Sequence, residues 1–209
     1  MKSKKLLLFA VAAAFVVATV PVAAQRHINE TFAFTGETSC LFSTGGFNND
    51  LTPKAGAVWV QSFTDGGTFV FHRDGSATFQ STEVAIAHPS ASHAPSASSE
   101  AFSGSETYTI AKDGTLTVEG ASFNGTFLAG SEAGSGDTIT VANPPPLTGR
   151  IAVNGTIVLT SEAPTLLDSS GVPIFETLTV KNSSGATVFI FPRICHRTRV
   201  LVAEGFVLF

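Results

Sequence analysis

An all-β fold follows from three features of the chain. Apolar and polar residues alternate with period two over most short windows. Asp-Gly and Asn-Gly turns punctuate those windows at Asp74-Gly75, Asp113-Gly114 and Asn154-Gly155. Beyond residue 24, no window longer than ten residues keeps apolar groups at a 3.6 period without Gly or Pro interrupting it. Ser, Thr and Gly fill the polar positions and Phe and Val the apolar ones, which is strand composition.

The elements follow in order. Glu30 to Thr38 is the first strand, with Phe32 and Phe34 on one side. Phe42 to Lys54 (FSTGGFNNDLTPK) is a Gly- and Asn-rich loop. Ala57 to Phe63, with Trp59, is nearly all apolar and reads as a central strand. Asp65-Gly66-Gly67 is expected to turn the chain into Thr68–His72. Asp74-Gly75 then forms a hairpin with Ser76–Ala87, because both turn positions tolerate positive φ.

His88 to Ser99 (HPSASHAPSASS) has nothing to bury and reads as a solvated loop whose length makes it a candidate lid. Phe102–Ala111 and Thr115–Glu119 flank Asp113-Gly114. Phe123, Phe127 and Ala129 mark the next strand, and a Gly/Ser run leads to Asp137–Ala142. Asn143 to Pro146 cannot continue a ladder, since each proline removes a donor. Leu147–Val153 and Thr156–Thr160 flank Asn154-Gly155. Val172–Val180, a turn at Asn182–Gly185 and the closing strand Ala186–Leu201 complete the set. Short strands at 8–12-residue spacing argue for a barrel or a sandwich. The sequential meander favours a single antiparallel up-and-down β-barrel, with a β-sandwich as the alternative.

Residues 1–24 carry the pattern of a secretory signal peptide. Lys2, Lys4 and Lys5 precede an apolar run from Leu6 to Val20, and Val22-Ala23-Ala24 supplies small residues for cleavage. Residues 25–209 then form one β-domain, long enough for a substantial core. Removing three lysines from 12 basic residues leaves 9 against 16 acidic ones, a net charge near −7. Nucleic acid is excluded as a partner, because phosphate neutralisation needs clustered Lys and Arg. The two cysteines, Cys40 and Cys195, are expected to pair in a periplasmic or extracellular setting and to tie the ends of the domain together.

Eighteen Phe stand against one Tyr and one Trp. Phe brings area without a polar handle, so such a set fills a core or lines a dry pocket. Phe69, Phe71, Phe127 and Tyr108 are the candidate lining residues. The closing strand supplies the sharpest charged cluster: alternation puts Arg193, Cys195, Arg197 and Arg199 on one face and His196 on the other. Facing solvent, the arginines would meet nearby carboxylates in pairs worth under about 1 kcal/mol. Facing inward, their planar forks would clamp a carboxylate or phosphate.

His88 and His93 lack metal-ligand spacing, so no metal or other cofactor is expected. Gly130-Ser131-Glu132-Ala133-Gly134 puts Glu where a nucleophile elbow needs Ser. Asn29, Asn124, Asn154 and Asn182 open N-x-S/T triplets that matter only in a glycosylating host and read first as turn residues, with Asn-Gly at 124 and 154. The terminal Phe209, with Val207, Ala203 and Leu201 alternating before it, resembles the ending of bacterial outer-membrane barrels. The scarcity of Tyr and Trp and the short successive turns oppose insertion.

The alternating Phe-rich strands split by Asp-Gly and Asn-Gly turns resemble the secreted calycin-like barrels: lipocalins, avidins and cyclase barrels. The lipocalin G-x-W is missing, since Trp59 follows Gly56 by three, so no family binding residue carries over. Pro192 to Leu201 also resembles the P-R-I-C-H-R-x-R-V-L ending of exported bacterial proteins of no known activity. The resemblance implies a protein that binds a small apolar ligand, with an acidic head group reaching Arg193, Arg197 or Arg199. The alternatives are a barrel isomerase or cyclase acting through Glu83, Glu106, Tyr108 or Glu176, and a surface protein with a filled interior. Oligomeric state has no signal in the sequence.

Overall fold

The computed structural model describes residues 27–120, 122–130, 136–152 and 154–204. The leader expected at 1–24, the Gly130–Gly134 motif in its greater part and the terminal Phe209 lie outside them. The described chain is all-β, with thirteen strands. Five are long: β1 (Glu30–Ser43), β2 (Val58–Phe71), β3 (Ser76–Ala87), β4 (Ser96–Ile110) and β13 (Thr187–Ala203). Between β4 and β13 come β5 (Thr115–Glu119), β6 (Ser122–Gly130), β7 (Thr138–Ala142), β8 (Leu147–Ile151), β9 (Ile157–Ser161), β10 (Leu166–Leu167), β11 (Pro173–Ile174) and β12 (Glu176–Lys181).

The hydrogen bonding is ring-like and antiparallel. β1 to β4 pair in sequence order, and β13 returns to pair with β1 from Phe32↔Ala203 to Phe42↔Arg193. The gap between β4 and β13 is filled twice. One circuit closes through β5, β8 and β9, the other through β6, β7 and β12, so each ring has eight strands. The long strands divide their pairing accordingly. β4 meets β6 along Ser98–Gly104 and β5 along Thr107–Ile110, while β13 meets β12 along Thr187–Arg193 and β9 along Thr198–Leu201. The purely sequential order expected of an up-and-down meander therefore ends at β5 in one circuit and at β4 in the other.

Two strand boundaries correct the sequence reading. Asp65-Gly66-Gly67 does not turn; β2 runs through it, with Gly66 opposite Thr35 on one side and Thr82 on the other. Two long neighbours pair with it at once, and that outweighs the local turn preference. A side chain at Gly67 would put its Cβ about 1.9 Å from the Gln80 carbonyl oxygen, so glycine here serves a close strand approach. β4 also starts at Ser96, inside the expected loop, because Ser96–Ser99 pairs with Val84–Ala87. Period-two alternation runs along the long strands: β1 buries Phe32, Phe34, Gly36, Thr38, Cys40 and Phe42 and exposes Ala33, Thr35, Glu37 and Ser39 between them.

The rings point inward. One apolar cluster packs Phe32, Phe34, Phe69, Phe71 and Phe79 with Tyr108 and the short strands; another holds Cys40, Phe42, Trp59, Phe63 and Cys195. Cys40 lies directly opposite Cys195 on β1 and β13, with Cα atoms 4.1 Å apart and the sulfurs 2.02 Å apart. The expected link between the first and last strands is present. A bonded cysteine pair is more typical of non-cytoplasmic proteins.

Candidate functional site

Charge enters the interior on the inward positions of five strands. The alternation of β13 is as expected, but its arginine face is turned in: Arg193, Arg197 and Arg199 are 4, 5 and 8% exposed. The reading that placed them toward solvent is corrected. Glu176, fully buried on β12, sits directly opposite Arg193 in the β12–β13 ladder. Its Oε1 accepts from Arg193 Nε at 2.6 Å and from Arg197 Nη2. Asp65 of β2 takes Arg199, its Oδ2 lying 3.2 Å from Nε and 3.1 Å from Nη2. A Cβ at Gly36 would stand 2.3 Å from Asp65 Oδ1 and 2.9 Å from Arg199 Cγ, so the absent side chain makes room for that pair.

Aromatic faces complete the arginine seats. Arg193 lies over the rings of Phe42 and Phe63 at 5.6 and 5.8 Å, and Arg199 over Phe34 and Phe79 at 5.2 and 5.6 Å. The space left among Phe79, Phe102, Glu83 and the three arginines is about 10 Å³, the size of one water. Nothing larger fits beside the guanidiniums.

Three more carboxyls, Glu83, Glu100 and Glu106, face inward. Glu83 of β3 is directly opposite Glu100 of β4. Burial, and then the charge of Glu100, push the Glu83 carboxyl well above its ordinary value of 4.5; Arg193 opposes this, and the hydrogen bond to Glu100 adds to the rise. Burial also raises Glu106, against the pull of Arg199 and Arg197. At Glu176 burial again works upward, but Arg193 and Arg197 together overcome it and hold the carboxyl below 4.5.

The signs give a pH dependence. Above pH 4.5 the native chain holds protons on Glu83 and Glu106 that the unfolded chain has released, so stability falls as pH rises toward their native values. Glu176 works on the other side: its contribution is present above 4.5 and is lost as pH drops through its lower native value. Urea unfolding is therefore expected to show greatest stability on the acid side of neutral. Glu83→Gln with Glu106→Gln should flatten the alkaline limb, by about 1.4 kcal/mol for each unit that each carboxyl is raised. An unchanged slope in that double variant would contradict the assignment.

At the disulfide end of the interior lies a partly open cavity of about 140 Å³. Phe42, Trp59, Phe63, Phe127, Phe189 and Phe191 form most of its wall, and Leu178 and Val180 add aliphatic surface. Gln61, His93 and Glu100 are its polar members. The indole of Trp59 stacks nearly parallel with Phe42, at 5.0 Å, and with His93, at 4.4 Å. His93 belongs to the segment His88–Pro95, the part of the expected lid that stays a loop. That loop is tied to β2 through Val58 N–H, which donates to Ser92 Oγ at 3.1 Å.

Of the residues the sequence singled out, Phe127 lines this cavity. Phe69 and Phe71 are packed in the opposite cluster, Phe69 between Phe34 and Phe79 and Phe71 against Phe32 and Tyr108. The Tyr108 hydroxyl donates to the His72 carbonyl at 2.7 Å and accepts from Ile28 N–H at 2.9 Å. Among the described residues, no group of three or more His, Cys, Asp or Glu side chains could hold a metal ion. Trp59, Gln61, His93 and Glu100 were not singled out as lining residues. Trp59 and Gln61 share the inward parity of β2 with Phe63, and that parity was the available signal. No protein-family model, curated protein or solved structure matches the chain.

Proposed function

We propose that this chain is an exported calycin-like β-barrel that holds a small apolar molecule in the aromatic cavity at its disulfide end. The observation that carries the reading is the cavity itself: about 140 Å³, walled by six aromatic rings. An apolar cavity of about 150 Å³ accepts benzene, so the volume suits one aromatic ring or a compact aliphatic molecule and excludes a long acyl chain. The ring-like sheet and the inward phenyl faces support the barrel, and the cysteine pair supports export.

The arginines support a different role from the one the sequence suggested. Arg193 and Arg197 share the one carboxylate of Glu176, Arg199 pairs with Asp65, and only about 10 Å³ is left beside them, which argues against an acidic head group seated among them. Their place in this proposal is to build the barrel floor.

Toluene, added to the purified disulfide-bonded protein at a hundredfold excess over its Kd, should stabilise it by about 2.7 kcal/mol, read as a shift in thermal midpoint. Phe127→Trp, which fills the cavity, should abolish that shift. Absence of any shift with toluene, indole or a monoterpene in the unsubstituted protein would sink the proposal. A second reading, an isomerase-type enzyme, is favoured by the facing carboxyls Glu83 and Glu100, since Glu100 reaches the cavity wall and a raised acid beside a carboxylate suits proton transfer.

A further inference from the structure

Among the described residues, thirteen large apolar side chains are exposed, and seven of them sit toward the disulfide end on β2, β3, β6 and β13. The register shows how they are arranged. One row of direct partners runs from Ile190 through Asn124, Ser103, Gln80 and Thr68 back to β13 at Val202. It returns twelve residues past its start after eight steps, so the strands are tilted and each partner lies about one and a half residues further from the disulfide end. With that descent taken out, Ile190 shares its level, to within two residues, with Leu128 on β6, Ala97 on β4, Ile86 on β3 and Val60 on β2. Ile190, Leu128, Ile86 and Val60 are 57, 50, 51 and 40% exposed. They form an aliphatic belt around the outside. On β2, β6 and β13 each belt residue is the chain neighbour of a cavity-wall ring: Trp59, Phe127, and Phe189 with Phe191.

Charge is kept off this part of the wall. Across the circuit, the belt level and the two outward positions below it carry Lys181 and no carboxylate, in a chain with 12 basic and 16 acidic residues. The described loops at this end add Lys54 against Asp50 and Asp137, so the end is close to neutral. That balance is complementary to a zwitterionic headgroup layer, where an acidic rim would meet phosphate. The shape of the belt separates the possible occupants. A second copy of the chain would cover one patch on one side. Ile190 and Ala97 are four steps apart on an eight-strand circuit and so lie on opposite sides of it. A fluid acyl layer meets all sides at once when the axis stands upright, with affinity that grows with the apolar area buried. We infer that the disulfide end seats in the interface of a zwitterionic lipid layer, with the belt where headgroups give way to acyl chains. This goes beyond the cavity reading and does not depend on it.

The test is flotation of the purified disulfide-bonded protein with phosphatidylcholine vesicles. The protein is expected to rise with the vesicles, and equally at low and high salt, because apolar contact rather than charge holds it. Ile86→Thr, Leu128→Thr and Ile190→Thr together keep strand-compatible residues and remove the belt, and should lower the partition coefficient by about tenfold or more. Ile151→Thr with Val158→Thr, an exposed pair on β8 and β9, should leave it within about twofold. Far-ultraviolet circular dichroism and the toluene shift of the triple variant should match those of the unsubstituted protein, which separates lost lipid binding from a lost fold or cavity. Should the triple variant fail to fold, flotation of the unsubstituted protein and its response to salt decide the matter. Absence of flotation, binding that needs anionic lipid and vanishes at high salt, or belt-dependent self-association in sedimentation without vesicles overturns the inference. None of these outcomes touches the cavity reading, which the toluene shift decides.

Discussion

Glu176→Ala is expected to lower stability by about 3–5 kcal/mol, because it leaves two buried guanidiniums without their shared counter-charge. In a domain of this size that corresponds to roughly 10 °C in thermal midpoint. Glu176 itself is fully buried, and Arg193 and Arg197 are nearly so. Solvent therefore cannot take over the role of the lost carboxylate. Glu176→Gln keeps the shape and an acceptor but not the charge, and should fall almost as far. The triple variant Glu176→Leu with Arg193→Met and Arg197→Met removes the charges together and should regain most of the loss, since a buried ionic cluster is expensive chiefly when broken. Thermal melts followed by circular dichroism measure all three. A mild effect for Glu176→Ala would mean that water reaches the arginines.

The disulfide carries the second large effect. Cys40 and Cys195 are 155 residues apart in sequence, so the bond closes most of the domain into one loop. Chain-entropy reasoning assigns such a closure about 5 kcal/mol at most. Cys40→Ser with Cys195→Ser is expected to reduce stability by about 2–5 kcal/mol in urea unfolding. The native sheet should persist, because β1 and β13 stay joined by the whole ladder from Phe32 to Phe42. Far-ultraviolet circular dichroism should therefore be unchanged below the transition. Oε1 of Glu176 lies 3.8 Å from the Cys195 sulfur, so combining this pair with Glu176→Ala should give a non-additive loss.

Parts of the interior charge cluster were legible before any coordinates. Alternation alone placed Arg193, Cys195, Arg197 and Arg199 on one face, and the turn at Asn182–Gly185 defines a hairpin in which Glu176 comes opposite Arg193. What alternation could not give is the sign of that face. Buried arginines are rare, so solvent was the sensible expectation. The outcome was reversed by Glu176, which shares a hairpin with them, and by Asp65, which is 134 residues from its partner Arg199. A one-dimensional pattern does not register a partner at that distance.

Glu83 and Glu100 illustrate the same limit differently. Each carries the inward parity of its strand, but their meeting depends on the register across the loop after Ala87, and β4 begins six residues earlier than its apolar pattern suggests. Small Ser and Ala residues join a ladder when a long neighbour is already present to pair with them.

The sequence by itself determined the local chemistry: strands from period-two alternation, turns at Asp74-Gly75, Asp113-Gly114 and Asn154-Gly155, the single cysteine pair and the excess of phenyl rings. Those properties depend on residues a few positions apart, where backbone preference and side-chain parity act directly. Only the tertiary structure decided that β2 runs straight through Asp65-Gly66-Gly67, that the hydrogen bonding is ring-like along two circuits, and that the disulfide end of the interior keeps a cavity. Those outcomes depend on how much volume the inward side chains leave once strands from the two ends of the chain face each other, a sum over distant positions that no local window contains.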